Sequence, residues 1–395
     1  MKPATEARRV AVTGVGVLAA CGIGRDQFWS GLLAPQPTGE RRIQNFDPAT
    51  AFDNLKEAKR TDRFAQVALA AAAEALAQAG EVGADPDRAG VLLGTGVGGL
   101  ETLESQVLAR AEKGERRVSP FLVPMMMANA ASAALSMRYG WRGPCETTVT
   151  ACAASTHAIG NAARLIANGR CDAMLTGGSE VSMTLTALAG FGNMTALSNV
   201  GVSRPFDAER DGFVMSEGAA VLVLEEWDAA VARGATILAE ILGAASNADA
   251  HHITAPSPGG AGAIACMELA IADAGLTPAD IVHVNAHGTS TPLNDAAEAE
   301  ALAKLFGSPG PIITSTKGVT GHALGAAGAL EAAAVVLSML NGQIPPTDGT
   351  KAVDPALPQI DVVLREPRDW TPGPSLSNSF GFGGHNGTLV IGPAS

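Results

Sequence analysis

Short apolar runs, several of them ending in glycine, alternate with longer helical patterns along the chain. The runs read, in order, VAVTG, AGVLLGTG, DAMLTGG, AAVLVLE, ILAEILGAAS, DIVHVNAHG, PIITST and GTLVIG. Segments such as RFAQVALAAAAEALAQAG and GGAGAIACMELAIADAG lie between them and have helical patterns. Buried strands that alternate with helices predict an α/β fold with helix-covered sheets.

The pattern has two halves of similar outline. In each half, a first strand leads through a long helix to an apolar strand that ends in glycine. We interpret this likeness as a duplication, seen in the pattern alone, with a division near residues 234–237. The predicted units are an N-terminal half, residues 1–236, and a C-terminal half, residues 237–395. Since no low-complexity linker separates them, we expect one continuous core.

Composition excludes several classes of protein. The 395-residue chain is 47% hydrophobic and 17% charged, which allows a large buried core. Its net charge of −12 argues against nucleic-acid binding, because phosphates need a strongly positive surface. The five cysteines form no CxxC pair, and His251-His252 lack further ligand spacing. We therefore expect neither disulfides nor a metal, and no cofactor.

The start of the chain superficially resembles a signal peptide, with Met1–Arg9 followed by VAVTGVGVLAA. No A-x-A-like cleavage site appears before the fold begins, so we interpret VAVTG as a buried first strand. No uninterrupted apolar stretch looks long enough to span a bilayer. The predicted location is the cytoplasm, without membrane contact.

A cysteine motif, VTACAASTHAIG, joins a β-branched run to a helical pattern. This places Cys152 at a strand-to-helix turn, where free amides and the helix dipole stabilise a thiolate and an oxyanion. By itself the motif leaves a second interpretation open, in which Cys152 is a small core residue.

Two histidine motifs follow predicted strands. His287 comes directly after DIVHV, at a strand end where ligands of α/β proteins usually bind. Lys317 and His322 occur in STKGVTGH, before an apolar segment that we expect to be a buried helix. A lysine and a histidine there are costly unless paired. The alternatives are a structural histidine at 287 and a surface lysine at 317.

Two glycine-rich motifs lead to different interpretations. NSFGFGGHNG allows the backbone around Phe380 and Phe382 to approach a substrate closely, although both rings could equally be packing residues. Gly94, Gly96 and Gly99 match GxGxxG after a strand, but no acidic residue ends a second strand about 20 positions later. We therefore reject a dinucleotide site.

Taken together, TACAAS, VNAHGTSTP, STKGVTGHALGAAGALE and NSFGFGG resemble the β-ketoacyl–acyl carrier protein synthases over nearly the whole chain. The order Cys-His-His is that of the elongating branch; the initiating branch has Cys-His-Asn, and thiolases use a second Cys. The chain is most similar to synthase II of fatty acid synthesis. The resemblance implies the thiolase fold, with five layers helix–sheet–helix–sheet–helix, and a homodimer.

The resemblance also implies roles for individual residues. Cys152 is the implied nucleophile, and His287 and His322 the implied pair that supports decarboxylation and stabilises the enolate. The amides of Cys152 and Phe382 would form the oxyanion hole, with Phe382 also gating the acyl pocket. Four further residues match the family's supporting lysine and acidic positions: Lys317, Asp295, Glu298 and Glu331.

The implied reaction is a decarboxylative Claisen condensation of an acyl thioester on Cys152 with malonyl-carrier protein. A thioester on a soft nucleophile holds the acyl chain while carriers exchange, and two neutral imidazoles can donate to the enolate oxygen. Asp295 and Glu298 are one helical turn apart, where they could hold Lys317 or water. Glu331 lies nine residues after His322, roughly on the opposite helix face, and its spacing indicates no role.

A basic cluster, Lys56, Lys59, Arg60 and Arg63, is the predicted docking site for the acidic acyl carrier protein. If the segment is helical, these residues share one face at i, i+3, i+4 and i+7. An ordinary solvated helix face is the alternative.

Departures from the family pattern leave the pathway open. The segments between Asp47 and Asp62 and at SNVGVSRPFD are short, and Thr195 stands where some fatty-acid members have Arg. The main alternative is a ketosynthase of a type II polyketide system, possibly in a heterodimer with a silent homologue. The alternative from another class is a coenzyme A thiolase. Because Cys152 is present, the chain is not a chain-length-factor subunit, which lacks the nucleophile.

Overall fold

The computed structural model describes residues 7–37, 39–52 and 54–394. The strands are β1 Val10–Ala19, β2 Gly22–Ile23, β3 Ala89–Gly94, β4 Cys145–Thr148, β5 Ala173–Glu180, β6 Gly218–Glu226, β7 Ala239–Ala248, β8 His283–Asn285, β9 Ile312–Thr314, β10 Gln343–Ile344, β11 Asp361–Val362, β12 Arg368–Asp369, β13 Ser375–Gly381 and β14 His385–Pro393. The α-helices are α1 Arg25–Leu32, α2 Leu55–Ala58, α3 Arg63–Ala79, α4 Leu100–Lys113, α5 Leu122–Met126, α6 Ala130–Tyr139, α7 Ala154–Ala167, α8 Leu185–Asn193, α9 Trp227–Ala232, α10 Ala261–Asp273, α11 Pro292–Phe306, α12 Lys317–Thr320 and α13 Ala327–Asn341.

The two halves of the chain build the same sheet unit. The N-terminal strands lie in the order β4-β3-β5-β6-β1, and the C-terminal strands in the matching order β9-β8-β13-β14-β7. In both units the first two neighbouring pairs are parallel and the last two are antiparallel. The likeness inferred from the hydrophobic pattern therefore extends to strand order and direction.

The two sheet units meet at a short seam. There β1 pairs with β7 only through Ala11↔Glu240 and Val12↔Ala239. Helices α7 and α13 contact each other and strands of both units, so they form the layer between the sheets. Helix α3 packs on the N-terminal unit and α10 on the C-terminal unit. The result is the five-layered thiolase fold.

Small residues make the central layer close-packed. Helix α13 is buried along nearly its whole length, and most of its buried residues are Ala, Gly, Val or Leu. Together with the turn before it, residues 324–341, it is long and apolar enough to cross a membrane by length and composition. Glu331 interrupts its apolar run, so it is not an uninterrupted apolar stretch of the kind that the sequence analysis excludes. The segment is mostly apolar because protein surrounds it.

The first predicted strand is confirmed. VAVTG lies within β1, which is buried throughout. The leader-like start was assigned to Met1–Arg9, of which residues 1–6 lie outside the described part of the chain.

Candidate active site

Cys152 lies at the strand-to-helix turn that the sequence predicts. Strand β4 ends at Thr148, Ala151–Ala153 form one 3₁₀ turn, and α7 begins at Ala154. The turn is sharp: Ala151 has φ 49°, a conformation that non-glycine residues rarely adopt. Cys152 is buried at 7% exposure and lines a cavity of about 370 Å³.

The two histidines converge on this sulfur from the C-terminal half. His322 Nε2 is 3.1 Å from Cys152 Sγ. The rings of His287 and His322 pack edge to face with centroids 5.4 Å apart. Burial, with the nearby Lys317 charge, lowers the pKa of both imidazoles well below the ordinary value. Both rings are therefore neutral at pH 7.

Lys317 orients the His287 ring. Its ammonium donates to His287 Nδ1 at 3.3 Å and to the His287 carbonyl at 2.6 Å, and it forms a buried ion pair with Glu331. Because Nδ1 accepts from Lys317, the proton of the neutral imidazole is on Nε2. The surface-lysine interpretation is excluded, since Lys317 is 1% exposed.

The partners of the acidic residues differ from those expected from spacing. Lys317 pairs with Glu331, not with Asp295 or Glu298. Glu298 accepts the amides of His287 and Gly288, each at 2.8 Å. Asp295 accepts the amides of Thr289 and Phe206 at 3.0 and 2.8 Å. Both carboxylates thus hold the backbone turn that follows His287.

The position of Glu331 also differs from the one expected from the helix-face argument. His322 is not on α13, because the chain turns at Leu324–Ala326 before that helix begins. The separation of nine residues therefore does not place His322 and Glu331 on opposite faces of one helix. Glu331 lies on the first turns of α13, where it reaches Lys317.

The glycine-rich loop closes the site. Residues 382–384 link β13 to β14, and Gly383 and Gly384 have φ 82° and 74°. The backbone N–H of Phe382 lies close enough to the Cys152 sulfur to lower the pKa of the thiol. A Cβ on Gly381 would lie 3.1 Å from the Cys152 nitrogen, so the loop and the nucleophile turn are in close contact. The Phe380 ring packs against His287, with centroids 5.9 Å apart.

The ionisation of Cys152 corrects the helix-end argument. Burial raises the pKa of the thiol to about 11, although the Lys317 charge and the Phe382 amide lower it. A helix terminus favours a thiolate, but removal of the sulfur from water outweighs it here. The resting side chain is therefore a thiol.

Several cavity-lining residues carry no sequence signal. Phe213 packs edge to face on His322 with centroids 5.2 Å apart, and Phe191 packs on Phe213. Met194 also lines the cavity. Nothing in the local sequence separates these side chains from ordinary packing residues. Only the fold brings them to the nucleophile.

The basic cluster does not form one helix face. Helix α2 ends at Ala58, and a new helix starts at Arg63 with Asp62 as its cap, so the i to i+7 argument is wrong. Lys56, Lys59 and Arg60 are exposed. Arg63 instead pairs with the buried Glu217 at 3.3 Å and donates to the carbonyl of Ile43.

Among the residues that the structure describes, one set of side chains is close enough together to hold a metal ion. The ligand atoms of Cys152, His287 and His322 lie within 4.8 Å of one another. However, Lys317 donates to one nitrogen of His287, and the other nitrogen bears the ring proton. A metal ion would have to displace that lysine and tolerate its charge, so the site is poorly suited to a cation.

Known proteins resemble this chain in sequence and in fold. Family models for the N-terminal and C-terminal domains of β-ketoacyl synthase match residues 37–230 and 238–351. The 3-oxoacyl-[acyl-carrier-protein] synthase 2 of Synechocystis sp. is 43% identical, over 98% of each chain. The ishigamide ketosynthase/chain length factor superposes with a TM-score of 0.92 at 31% identity, covering 98% of this chain and 100% of that one. A type II polyketide synthase carrier protein–ketosynthase complex gives 0.86 at 28% identity, with coverage of 98% and 100%.

The fold and the Cys-His-His site define a condensing enzyme of the thiolase fold. The chain belongs to the β-ketoacyl synthase family. It is an acyltransferase that joins acyl and malonyl-type thioesters.

Proposed function

We propose that this chain elongates carrier-bound acyl chains in fatty acid synthesis by a decarboxylative condensation on Cys152. The observation that carries the proposal is the convergence on one sulfur of His322 Nε2 and the Phe382 amide, beside a second neutral imidazole, His287. Such a site supplies a nucleophile, an oxyanion hole and two further donors.

Acyl transfer comes first. The Cys152 sulfur attacks the thioester carbonyl of the acyl carrier, a C–S bond forms, and the tetrahedral oxyanion is held by the amides of Cys152 and Phe382. Collapse expels the carrier thiolate, which takes up the proton that Cys152 releases. In this proposal His322 carries its ring proton on Nε2, so that it donates to the attacking sulfur.

Condensation follows on the acylated enzyme. The malonyl carboxylate leaves as CO2, and its bonding electrons form an enolate. The N–H groups of His287 and His322 stabilise the enolate oxygen. The enolate carbon attacks the Cys152 thioester, the new C–C bond forms, and the sulfur leaves as a thiolate that is reprotonated from water. Lys317, held by Glu331, keeps the His287 proton on Nε2, while Asp295 and Glu298 hold the backbone behind it.

The half-reactions test these roles. Cys152→Ala should abolish condensation while retaining malonyl-carrier binding. Cys152→Gln should retain or raise malonyl decarboxylation, since the amide imitates an acylated cysteine. His322→Ala should lose decarboxylation, measured as CO2 release. Normal condensation by His322→Ala would contradict the enolate role.

Carrier docking is proposed at Lys56, Lys59 and Arg60. Two acidic proteins associate only where a local positive patch acts within the screening length of roughly 8–10 Å. The guanidinium of Arg60 lies 4.5 Å from the centroid of the Phe121 ring, which brings the segment after α4 to the cluster. That segment adds two exposed cations, Arg116 and Arg117, for which the sequence reading offered no role.

A charge reversal tests docking. Lys59→Glu with Arg60→Glu should raise the KM for carrier-bound substrate and flatten its salt dependence, because rim charges act on association. Activity with a small pantetheine thioester should stay unchanged. Equal losses with both substrates would assign the cluster to the fold. Arg63 is not part of this surface, and its reversal should lower stability instead.

A homodimer is proposed through β4. This strand ends the N-terminal sheet unit, and its first residues are exposed. Apolar side chains nearby are exposed as well: Val149 at 50% and Met137 at 77%. An unpaired edge beside an apolar surface favours pairing with another strand. Sedimentation should give about twice 39.9 kDa, and a monomer at micromolar concentration would refute it.

The second candidate is a type II polyketide ketosynthase, with a silent homologue in place of the second copy. The likeness to a ketosynthase/chain length factor structure and to a type II polyketide synthase ketosynthase favours it. Mass spectrometry of products separates the two: a single extension that yields a β-ketoacyl carrier supports fatty acid elongation, and a poly-β-ketone supports the rival. The proposed units remain residues 1–236 and 237–395, and the proposed compartment is the cytoplasm.

A further inference from the structure

Glu180 is a buried carboxyl group that the chemistry above does not use. It is the last residue of β5 and is fully buried. One oxygen, Oε2, accepts the amide of Gly96 at 2.5 Å and the amide of Gly325 at 3.1 Å. The Thr95 hydroxyl lies 3.5 Å from the same oxygen. A single carboxylate oxygen therefore links three segments of the chain.

The two amide donors belong to opposite walls of the active-site cavity. Gly96 and Val97 follow β3 and line the cavity on the N-terminal side. Gly325 comes three residues after His322, and Leu324 beside it lines the cavity from the C-terminal side. Glu180 thus lies behind the cavity and bridges both walls.

The two walls touch so closely that only glycine fits. A Cβ on Gly325 would lie 2.0 Å from the Gly96 nitrogen, and a Cβ on Gly96 would lie 2.6 Å from Glu180 Oε2. A Cβ on Gly94 would collide with the backbone at the start of α7, 2.3 Å from the Ser155 nitrogen. The GxGxxG motif that is unsuited to a dinucleotide therefore marks this junction.

The segment from His322 to Gly325 is held at its two ends. At His322, the backbone N–H donates to the Val214 carbonyl at 2.7 Å, and the His322 carbonyl accepts the Ser216 amide at 3.1 Å. At the far end, Gly325 is held by Glu180. Between them Leu324 has φ 43°, a conformation that persists only when its surroundings impose it. Loss of the Glu180 contact would release one end of this turn.

We infer that Glu180 is a positioning residue, whose carboxylate holds the turn after His322 against the Gly96 wall and so places the His322 ring over Cys152. The inference rests on the roles proposed for Cys152 and His322. Burial raises the pKa of Glu180 to about 7, although the amides of Gly96 and Gly325, which favour the carboxylate, lower it. The Glu180 charge also raises the pKa of Cys152.

Three variants test the inference. Glu180→Ala removes both contacts, and a displaced ring should lower kcat for malonyl decarboxylation by about 10–100-fold with KM changed less than about threefold. Glu180→Gln keeps an acceptor oxygen and should restore kcat to within about fivefold of wild type. Glu225→Ala is the matched control. That carboxylate is also buried, on β6, but it binds Thr13 and Arg233 away from the cavity, so its loss should lower only the melting temperature.

The results that would contradict the inference differ from those that would contradict the proposed function. The inference fails if Glu180→Ala melts lower but keeps its kcat, or if Glu180→Gln is as impaired as Glu180→Ala. If Glu180→Ala does not fold, Glu180→Asp is the test of the inference, because the shorter side chain withdraws the oxygen from the two amides but keeps the charge. A wild-type kcat in that variant would overturn the inference. His322→Ala is assayed in parallel. If His322→Ala decarboxylates malonyl-carrier normally, the proposed function fails. If His322→Ala loses decarboxylation while Glu180→Ala keeps it, only the positioning role of Glu180 is refuted.

Discussion

The pair Lys317–Glu331 allows stability and chemistry to be separated. Both side chains are almost fully buried, at 1% and 2% exposure. Lys317→Met should leave an unpaired carboxylate, and breaking a buried pair costs about 3–5 kcal/mol. With an unfolding entropy of roughly 0.8 kcal/mol/K for 395 residues, the melting temperature should fall by about 4–6 °C.

A second substitution should repair the fold and leave the chemistry impaired. Lys317→Met with Glu331→Leu replaces the ion pair by apolar groups of similar volume, which is often neutral or stabilising. The melting temperature should therefore return to within about 1–2 °C of wild type. Decarboxylation should stay about 100-fold low, because no donor keeps the His287 proton on Nε2.

Calorimetry and CO2 release from malonyl-carrier measure the two effects. Lys304→Met is the control, since its pair with Glu300 is exposed, at 55% and 47%, and should contribute less than about 1 kcal/mol. Recovery of decarboxylation together with stability in the double variant would refute the reasoning, because Lys317 would then serve the fold alone.

Three further predictions concern single side chains. Alkylation of Cys152 by iodoacetamide should accelerate about tenfold per unit between pH 7 and 9, since the thiol ionises near 11; a rate independent of pH in that range would indicate a resting thiolate. Phe382→Ala should slow the acyl-transfer burst more than it lowers the melting temperature, because we expect the loop to move during loading; normal acylation with reduced stability would make Phe382 a packing residue. His283 is buried without a hydrogen-bond partner for either nitrogen among the described residues, and burial lowers its pKa to about 3. The unfolded chain therefore binds the extra proton below about pH 6.5, and wild type should lose about 2 kcal/mol from this group between pH 7.5 and 5. His283→Phe should retain that stability in pH-dependent denaturation, and an identical pH dependence in both proteins would contradict the assignment.

The fold was largely predictable because local pattern and topology agree. Apolar runs identified the principal strands, and their repeated order predicted two similar halves. The positions of Cys152, His287 and His322 at element ends also followed from the sequence. Their convergence required the resemblance, since the nucleophile and the histidines come from different halves.

What could not be predicted depends on tertiary contacts. Spacing placed Asp295 and Glu298 near Lys317, but those carboxylates bind backbone amides. The ion-pair partner of Lys317 is Glu331, which lies beyond a turn of the chain. The helix-end argument for Cys152 omitted the burial that raises its pKa. The expected docking helix is interrupted where Asp62 caps a new helix. Each error comes from local reasoning about a group whose partner is distant in sequence.

The most direct test of the account is a pulse–chase of the acyl group on Cys152. The enzyme is loaded from an acyl carrier, freed of carrier, and followed by intact-protein mass spectrometry with peptide mapping. The account predicts one acyl group on Cys152, stable until malonyl-carrier is added, then lost as CO2 is released and a β-ketoacyl carrier two carbons longer appears. Condensation by a Cys152→Ala enzyme, or an acyl group that stays on Cys152 while product forms, would contradict it.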